Sequence, residues 1–163
     1  MYNLERLTVL LVDDNRHMRH LMKTILRSLG VGTIAEADDG SDALKLLRTI
    51  PADVVFTDWM MEPLDGLDLT RMVRTGSDID NPFVPIIMLT GHSEMGRVVE
   101  ARDAGVTEFL AKPVSADKVY HRLQQIIERP RTFIKTRRYT GPDRRRKAVD
   151  YTGKERRKDA NDK

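Results

Sequence analysis

Short apolar runs that close on an acid, alternating with stretches of helical period, restrict this chain to a parallel α/β sheet. LTVLLVD at 7–13 and DVVFTD at 53–58 are almost unbroken apolar runs ending in a carboxylate. PIIMLT at 85–90 is a third run, and residues 33–37 and 107–111 are shorter strand segments. A sheet wet on one face would alternate apolar and polar residues, so these runs need cover on both faces. Met18, Leu21, Met22, Ile25, Leu26 and Leu29 recur three and four apart, which predicts an amphipathic helix closed by Gly30. Ser41 is placed to cap a second helix carrying Ala43, Leu44 and Leu47. A third covers 66–74 with Leu69, Met72 and Val73 inward, and a fourth covers 93–104 and stops at Gly105. Ser115 caps a fifth, with Val119, Leu123 and Ile126 inward. Five strands alternating with five helices predict right-handed crossovers and an α/β, doubly wound, five-stranded parallel sheet.

The pattern stops after Glu128, and Pro130 marks the break, so residues 1–129 are expected to be one domain and 130–163 a tail. Residues 1–129 carry 15 Lys/Arg against 20 Asp/Glu, a net of −5. Residues 130–163 carry 13 against 5, a net of +8, which suggests a basic arm for an anionic partner. Residues 137–163 hold no stretch apolar enough for a core, so the tail is expected to be mostly unstructured in isolation. The chain has no Cys, which excludes disulfides and thiolate metal sites. No apolar run approaches the roughly 18–20 residues of a membrane span. The N-terminus turns acidic too soon for a signal peptide, so a cytoplasmic protein with no membrane partner is the expectation.

The chemistry is concentrated at strand ends. Asp13 and Asp14 follow the first strand, Asp58 ends the third, Thr90 ends the fourth, and Lys112 follows the fifth. In a sheet of order 2-1-3-4-5 the first and third strands are neighbours at the switch point, where ligands bind. Three carboxylates gathered there repel one another and call for a cation. Oxygen donors without Cys or His point to Mg²⁺. A carboxylate nucleophile, a metal, an ammonium and a hydroxyl are the parts needed to form and hold an acyl phosphate. A strand-end Asp is ordinarily a turn or capping residue. The chain's four His lack ligand-like spacing, and its eight Met read as core filler.

VDD at 12–14, DWMMEPLDG at 58–66, LTG at 89–91 and FLAKP at 109–113 resemble the receiver domain of two-component response regulators. The resemblance covers residues 7–128 and implies the flavodoxin-like, CheY-like fold. It implies that Asp58 accepts a phosphoryl group from a histidine kinase or a phosphotransfer protein. It implies that Asp13, Asp14, Asp58 and the backbone carbonyl of Met60 hold Mg²⁺. Thr90 and Lys112 would contact the phosphoryl oxygens, Phe109 would be the switch aromatic moving with Thr90, and the Lys112–Pro113 bond would be cis. The output would be protein contact, with no enzymatic turnover beyond phosphorylation and dephosphorylation of Asp58 itself. One position departs from the family: Glu62 stands where proline is usual, and Pro63 is one later. That puts the shape of the loop, the Mg²⁺ affinity and the phosphate lifetime in question.

The tail contains a repeat. Tyr139-Thr140-Gly141-Pro142-Asp143-Arg144-Arg145-Arg146 returns as Tyr151-Thr152-Gly153-Lys154-Glu155-Arg156-Arg157-Lys158. Aromatic, Thr-Gly, acid, three bases: the order is kept in both copies. Three chemistries fit. One is a solvated basic extension. Another is nucleic acid, bound by charge with Tyr139 and Tyr151 stacking on bases. The third is a guanine nucleotide, because arginine forks onto guanine O6/N7 and onto phosphate. A twofold ligand with two guanines and two phosphates, cyclic di-GMP, suits two arginine copies. The tail also resembles the arginine-rich extensions of Cle-type CheY-like proteins, which bind cyclic di-GMP and act on the flagellar motor. That resemblance implies binding by Arg144, Arg145, Arg146, Arg156 and Arg157, helped by Arg137, Arg138, Tyr139 and Tyr151. A phosphate sink without output is a further alternative.

Overall fold

The structure is a computed structural model and describes residues 2–143. Strands β1 (Thr8–Val12), β2 (Thr33–Ala37), β3 (Val54–Asp58), β4 (Ile86–Thr90) and β5 (Glu108–Ala111) form one parallel sheet in the order β2-β1-β3-β4-β5. The expected doubly wound order is therefore observed. Helices α1 (Arg16–Ser28), α2 (Gly40–Leu47), α3 (Gly66–Thr75), α4 (Val98–Ala104) and α5 (Ala116–Glu128) cover both faces.

The unbroken apolar runs are explained by where alternate side chains go. Val9, Leu11, Val54, Phe56, Ile87 and Leu89 pack with Met22, Ile25 and Leu26 of α1 and Val119 and Leu123 of α5. Leu10, Val12, Val55 and Ile86 point the other way, against Ala43 and Leu47 of α2 and Leu69 and Val73 of α3. Each fully buried Leu, Ile, Val or Phe contributes on the order of 1.5–3 kcal/mol relative to exposure, which is why these positions are apolar on both faces of the sheet. A third cluster joins Trp59, Leu67, Met88, Ala101, Ala104 and Val106, with Phe109 packed against it.

The ends follow local chemistry. Asn15, Asp39, Asp65 and Ser115 cap α1, α2, α3 and α5 by accepting from backbone N–H groups one turn on. Asp39, not Ser41, caps α2, because Asp39 precedes Gly40 and lets the helix start two residues earlier. Gly30 and Gly105 take positive φ, 90° and 109°, at the ends of α1 and α4, as expected of C-terminal glycines. The single helix expected over 93–104 is divided. Residues His92–Arg97 form a 3₁₀ segment before α4, with the Glu94 carboxylate accepting from Gly91 N–H at 3.0 Å. Gly96, a poor helix former, sits inside that segment. Met72, expected inward, is exposed on α3, whereas Leu69 and Val73 are buried as expected and Leu67 is buried as well.

Beyond α5 the chain does not trail away at once. Strands β6 (Phe133–Lys135) and β7 (Thr140–Pro142) pair antiparallel as a hairpin. Its tip is closed by Thr136, whose N–H donates to Tyr139 O at 2.7 Å and whose hydroxyl oxygen accepts from Tyr139 N–H at 3.0 Å. Arg131 donates to Thr107 O at 3.0 Å and to Asp143 O, which ties the hairpin to the start of β5. Residues 137–143, expected to have little structure, are therefore ordered by contact with the body. The anchors are guanidinium–carbonyl bonds and one aromatic ring, which leave no periodicity in the sequence.

Candidate functional site

The carboxyl ends of β1 and β3 lie side by side, with Val12 in register with Thr57. That register brings carboxylate oxygens of Asp13, Asp14 and Asp58 within 4.8 Å of one another. Asp13 and Asp58 are 4% and 8% exposed, and Asp14 faces solvent. Lys112, reaching in from the end of β5, donates to Asp58 Oδ1 at 2.8 Å. The N–H of Trp59 donates to the same oxygen at 3.0 Å. Thr90 ends β4 nearly buried, and its carbonyl accepts from Lys112 N–H at 2.8 Å. So Asp13, Asp14, Asp58 and Lys112 are brought together as the sequence suggested, with Thr90 on the strand between.

The electrostatics are those of a pit short of positive charge. Burial pushes the Asp13 carboxyl up to about 6; the neighbouring carboxylates of Asp58 and Asp14 add to the rise. The Asn15 N–H, donating to Asp13 Oδ1 at 2.8 Å, and Lys112 act in the opposite direction and do not cancel it. A donor set made only of carboxylates, with one ammonium beside it, fits a hard divalent cation. A second acidic group, Asp38, Asp39 and Asp42, also comes together at the start of α2. There Asp39 is occupied in capping α2 through Asp42 N–H.

Several contributors were not foreseen. Asn15 both caps α1 and fixes Asp13; an Asn directly after the Asp pair was the available signal. Arg19 donates to Asp13 O at 2.7 Å. Trp59 is 0% exposed, with the Arg97 guanidinium 5.3 Å from its ring centroid. That burial makes Trp59 a packed part of the crevice wall. Phe109 lies half-buried against the Trp59 cluster. The Lys112–Pro113 bond is cis as expected, and Glu62–Pro63 is cis as well, with Glu62 exposed. Met60 lies in the loop after β3 with its side chain exposed.

The candidate nucleotide residues divide. Arg137 and Arg138 are exposed at the hairpin tip. Tyr139 is 9% exposed and its hydroxyl donates to Pro142 O at 2.6 Å, so its ring is part of the hairpin and does not offer a stacking face. Arg144, Arg145, Arg146, Tyr151, Arg156 and Arg157 lie outside the described residues. No described helix is long and apolar enough to cross a membrane.

Comparison with known proteins agrees with this geometry. The response regulator receiver domain family matches residues 9–124. The chain is 37% identical over 121 residues to the chemotaxis protein CheY of Pseudomonas aeruginosa, covering 74% of this chain and 96% of that protein. It is 35% identical over 125 residues to CheY-3 of Vibrio cholerae, covering 77% and 95%. Among solved structures, the receiver domain of a Pseudomonas aeruginosa sensor histidine kinase, with magnesium coordinated in its active-site cleft, superposes with a TM-score of 0.66. That pair shares 31% identity over 73% of this chain and 95% of the other. Vibrio cholerae CheY4 superposes with a TM-score of 0.67 at 29% identity, covering 74% and 98%.

Proposed function

The chain belongs to the response regulator receiver family, and from that premise we propose that it is a switch thrown by phosphorylation of Asp58. The observation that carries the reading is the convergence of three carboxylates with Lys112 Nζ 2.8 Å from Asp58 Oδ1. A histidine kinase or phosphotransfer protein presents a phosphoryl group. An Asp58 carboxylate oxygen attacks phosphorus, the donor nitrogen leaves with its bonding pair, and an acyl phosphate results. Asp13, Asp14, Asp58 and the Met60 carbonyl would hold Mg²⁺, which would neutralise charge on the transferring group. Lys112 exchanges its carboxylate oxygen for a phosphoryl oxygen, and the Thr90 hydroxyl takes another. Roughly −1.5 to −2 charges then stand where one stood. Phe109, packed on the Trp59 cluster, follows Thr90 inward and reshapes the α4–β5–α5 face for a protein partner. The only turnover is formation and loss of the aspartyl phosphate.

The test uses the chain's single Trp. Acetyl phosphate, or beryllofluoride, is added with Mg²⁺ and Trp59 fluorescence is followed, with Asp58→Asn as control. A changed signal in the wild type alone supports the reading; equal traces from both chains refute it.

A finer reading concerns the tail. Two arginines, Arg137 and Arg138, are exposed on an ordered turn at the head of the arginine-rich repeat. We infer that this arm takes cyclic di-GMP and, given relatives named for chemotaxis, tunes motility through the flagellar motor. Calorimetry with cyclic di-GMP, comparing the wild type with Arg137→Ala/Arg138→Ala/Arg144→Ala/Arg145→Ala, tests it; equal heats from both reject it. A nucleic-acid arm would instead bind a short RNA equally well and lose affinity steeply with salt.

A further inference from the structure

We propose that the hairpin formed by β6 and β7 is a latch on the C-terminal end of α4, whose docking is coupled to the state of Asp58. The proposal rests on the receiver reading of the crevice and not on any ligand of the tail. The seat is specific. Gly105 closes α4 with φ 109°, and its carbonyl accepts from Arg74 Nε at 3.0 Å. Gly141 of β7 lies so close that an added Cβ would stand 2.9 Å from Gly105 Cα; a Cβ on Gly105 would stand 2.9 Å from Thr140 O. Arg131 holds Thr107 O on the far side of the same turn. The hairpin therefore grips both sides of the α4–β5 connection.

The seat and the crevice share one packed cluster. Ala104 and Val106 flank Gly105 and belong to the cluster of Trp59 and Met88, with Phe109 against it. Trp59 in turn donates its backbone N–H to Asp58 Oδ1. Close-packed interiors transmit small displacements, so a turn of Phe109 displaces the walls of the Gly105 seat. The latch is also built to be released. Docking lays Phe133 over the Arg74 guanidinium, 4.9 Å to the ring centroid, and among the described residues that cation's hydrogen-bond partners are carbonyls and a hydroxyl. Two strands of three residues each are marginal without such a seat. Docked and released states then differ little in free energy, and whatever favours one at the crevice shifts the other by linkage.

Hydrogen exchange on the full chain tests this, with and without beryllofluoride and Mg²⁺. The amides to follow are Gly105, Val106 and Thr107 at the seat, and Thr136 and Asp143 in the hairpin, all bonded in the docked form. In the wild type, loading should change exchange at Thr136 and Asp143 by about threefold or more. Gly141→Val, which fills the contact, and Phe133→Ala, which uncovers Arg74, should each raise exchange at residues 105–107 about tenfold. Lys135→Ala, an exposed charge change on β6, should leave those amides as they are. If both seat variants exchange like wild type while Trp59 still reports beryllofluoride, the latch is wrong and the receiver reading stands. If wild-type Trp59 ignores beryllofluoride, the receiver reading fails and takes the latch with it.

Discussion

Two cations divide the molecule into its two kinds of construction. Lys112 stands half-buried at the crevice, paired with Asp58 at 2.8 Å. Arg74 lies 3% exposed under the hairpin and pairs with no carboxylate among the described residues. Its guanidinium is spent on Gly105 O, Pro82 O, Val84 O and the Thr107 hydroxyl oxygen. Burial pushes Arg74 down to about 9, which leaves it charged at neutral pH. An ammonium on a flexible stem can trade one oxygen for another, whereas a planar fork set among four fixed oxygens cannot. Lys112 is placed for exchange and Arg74 for staying still. The difference teaches that a buried positive charge marks function only where its partner is itself exchangeable.

The comparison is broken most completely at the carboxylate that Lys112 pairs with. Asp58→Asn should abolish base-labile, hydroxylamine-sensitive phosphate incorporation from acetyl phosphate while leaving the far-UV spectrum unchanged. Incorporation at the wild-type level, read by mass spectrometry of the intact chain, would move the nucleophile elsewhere. Next in size is the fixed cation. Arg74→Met keeps the volume and removes five donors, leaving three carbonyls, of Pro82, Val84 and Gly105, without their partner. A loss of about 3 kcal/mol in urea unfolding is expected, with α3, the α4 end and the hairpin loosened together. A loss below about 1 kcal/mol would show those carbonyls reaching water and the comparison to be superficial.

Asp13 gives a pH signature at the exchangeable end. Its folded-state value, about 6, lies above the ordinary 3.8, so folding favours the protonated acid. Stability from this group is complete below 3.8 and is lost as pH rises through 6. Without divalent cation, Asp13→Asn should therefore match wild type near pH 4 and be about 2–3 kcal/mol more stable at pH 7.5. Added Mg²⁺ should raise the wild-type melting point and leave the variant nearly unmoved. A wild type whose advantage instead grows with pH would reverse the sign assigned to burial.

How much of this was readable in advance follows the same division. The strand order, both glycine caps and the crevice follow from rules that act along the chain: apolar runs, helical spacing, acids at strand ends. Asp13, Asp58, Thr90 and Lys112 were legible because a parallel sheet delivers strand ends to one edge. Arg74 was not, since an Arg on a helix reads as solvent-facing, and its partners are backbone carbonyls that carry no residue identity. Tyr139 was read as an exposed aromatic for the same reason. Its burial depends on Gly141 meeting Gly105, a contact between residues 36 positions apart with no side chains to announce it. The 3₁₀ segment at His92–Arg97 escaped because a helical period alone does not register Glu94 folding back onto Gly91 N–H.

The smallest effect sharpens the comparison most. Lys112→Met is the counterpart of Arg74→Met: each replaces a cation by an uncharged chain of similar length. At Lys112 the loss of one partly exposed pair with Asp58 is worth at most about 1 kcal/mol after solvent screening. Two opposed terms reduce it further. Asp58 loses its counter-charge, but the desolvation of Lys112 is also relieved, and Trp59 N–H still donates to Asp58 Oδ1. Urea unfolding of Lys112→Met should therefore lie within about 1 kcal/mol of wild type. Its Trp59 response to beryllofluoride should nevertheless fall, because no ammonium is left to follow the phosphoryl oxygens. Stability kept and response lost is the signature of an exchangeable cation; a stability loss like that of Arg74→Met would make Lys112 another fixed staple.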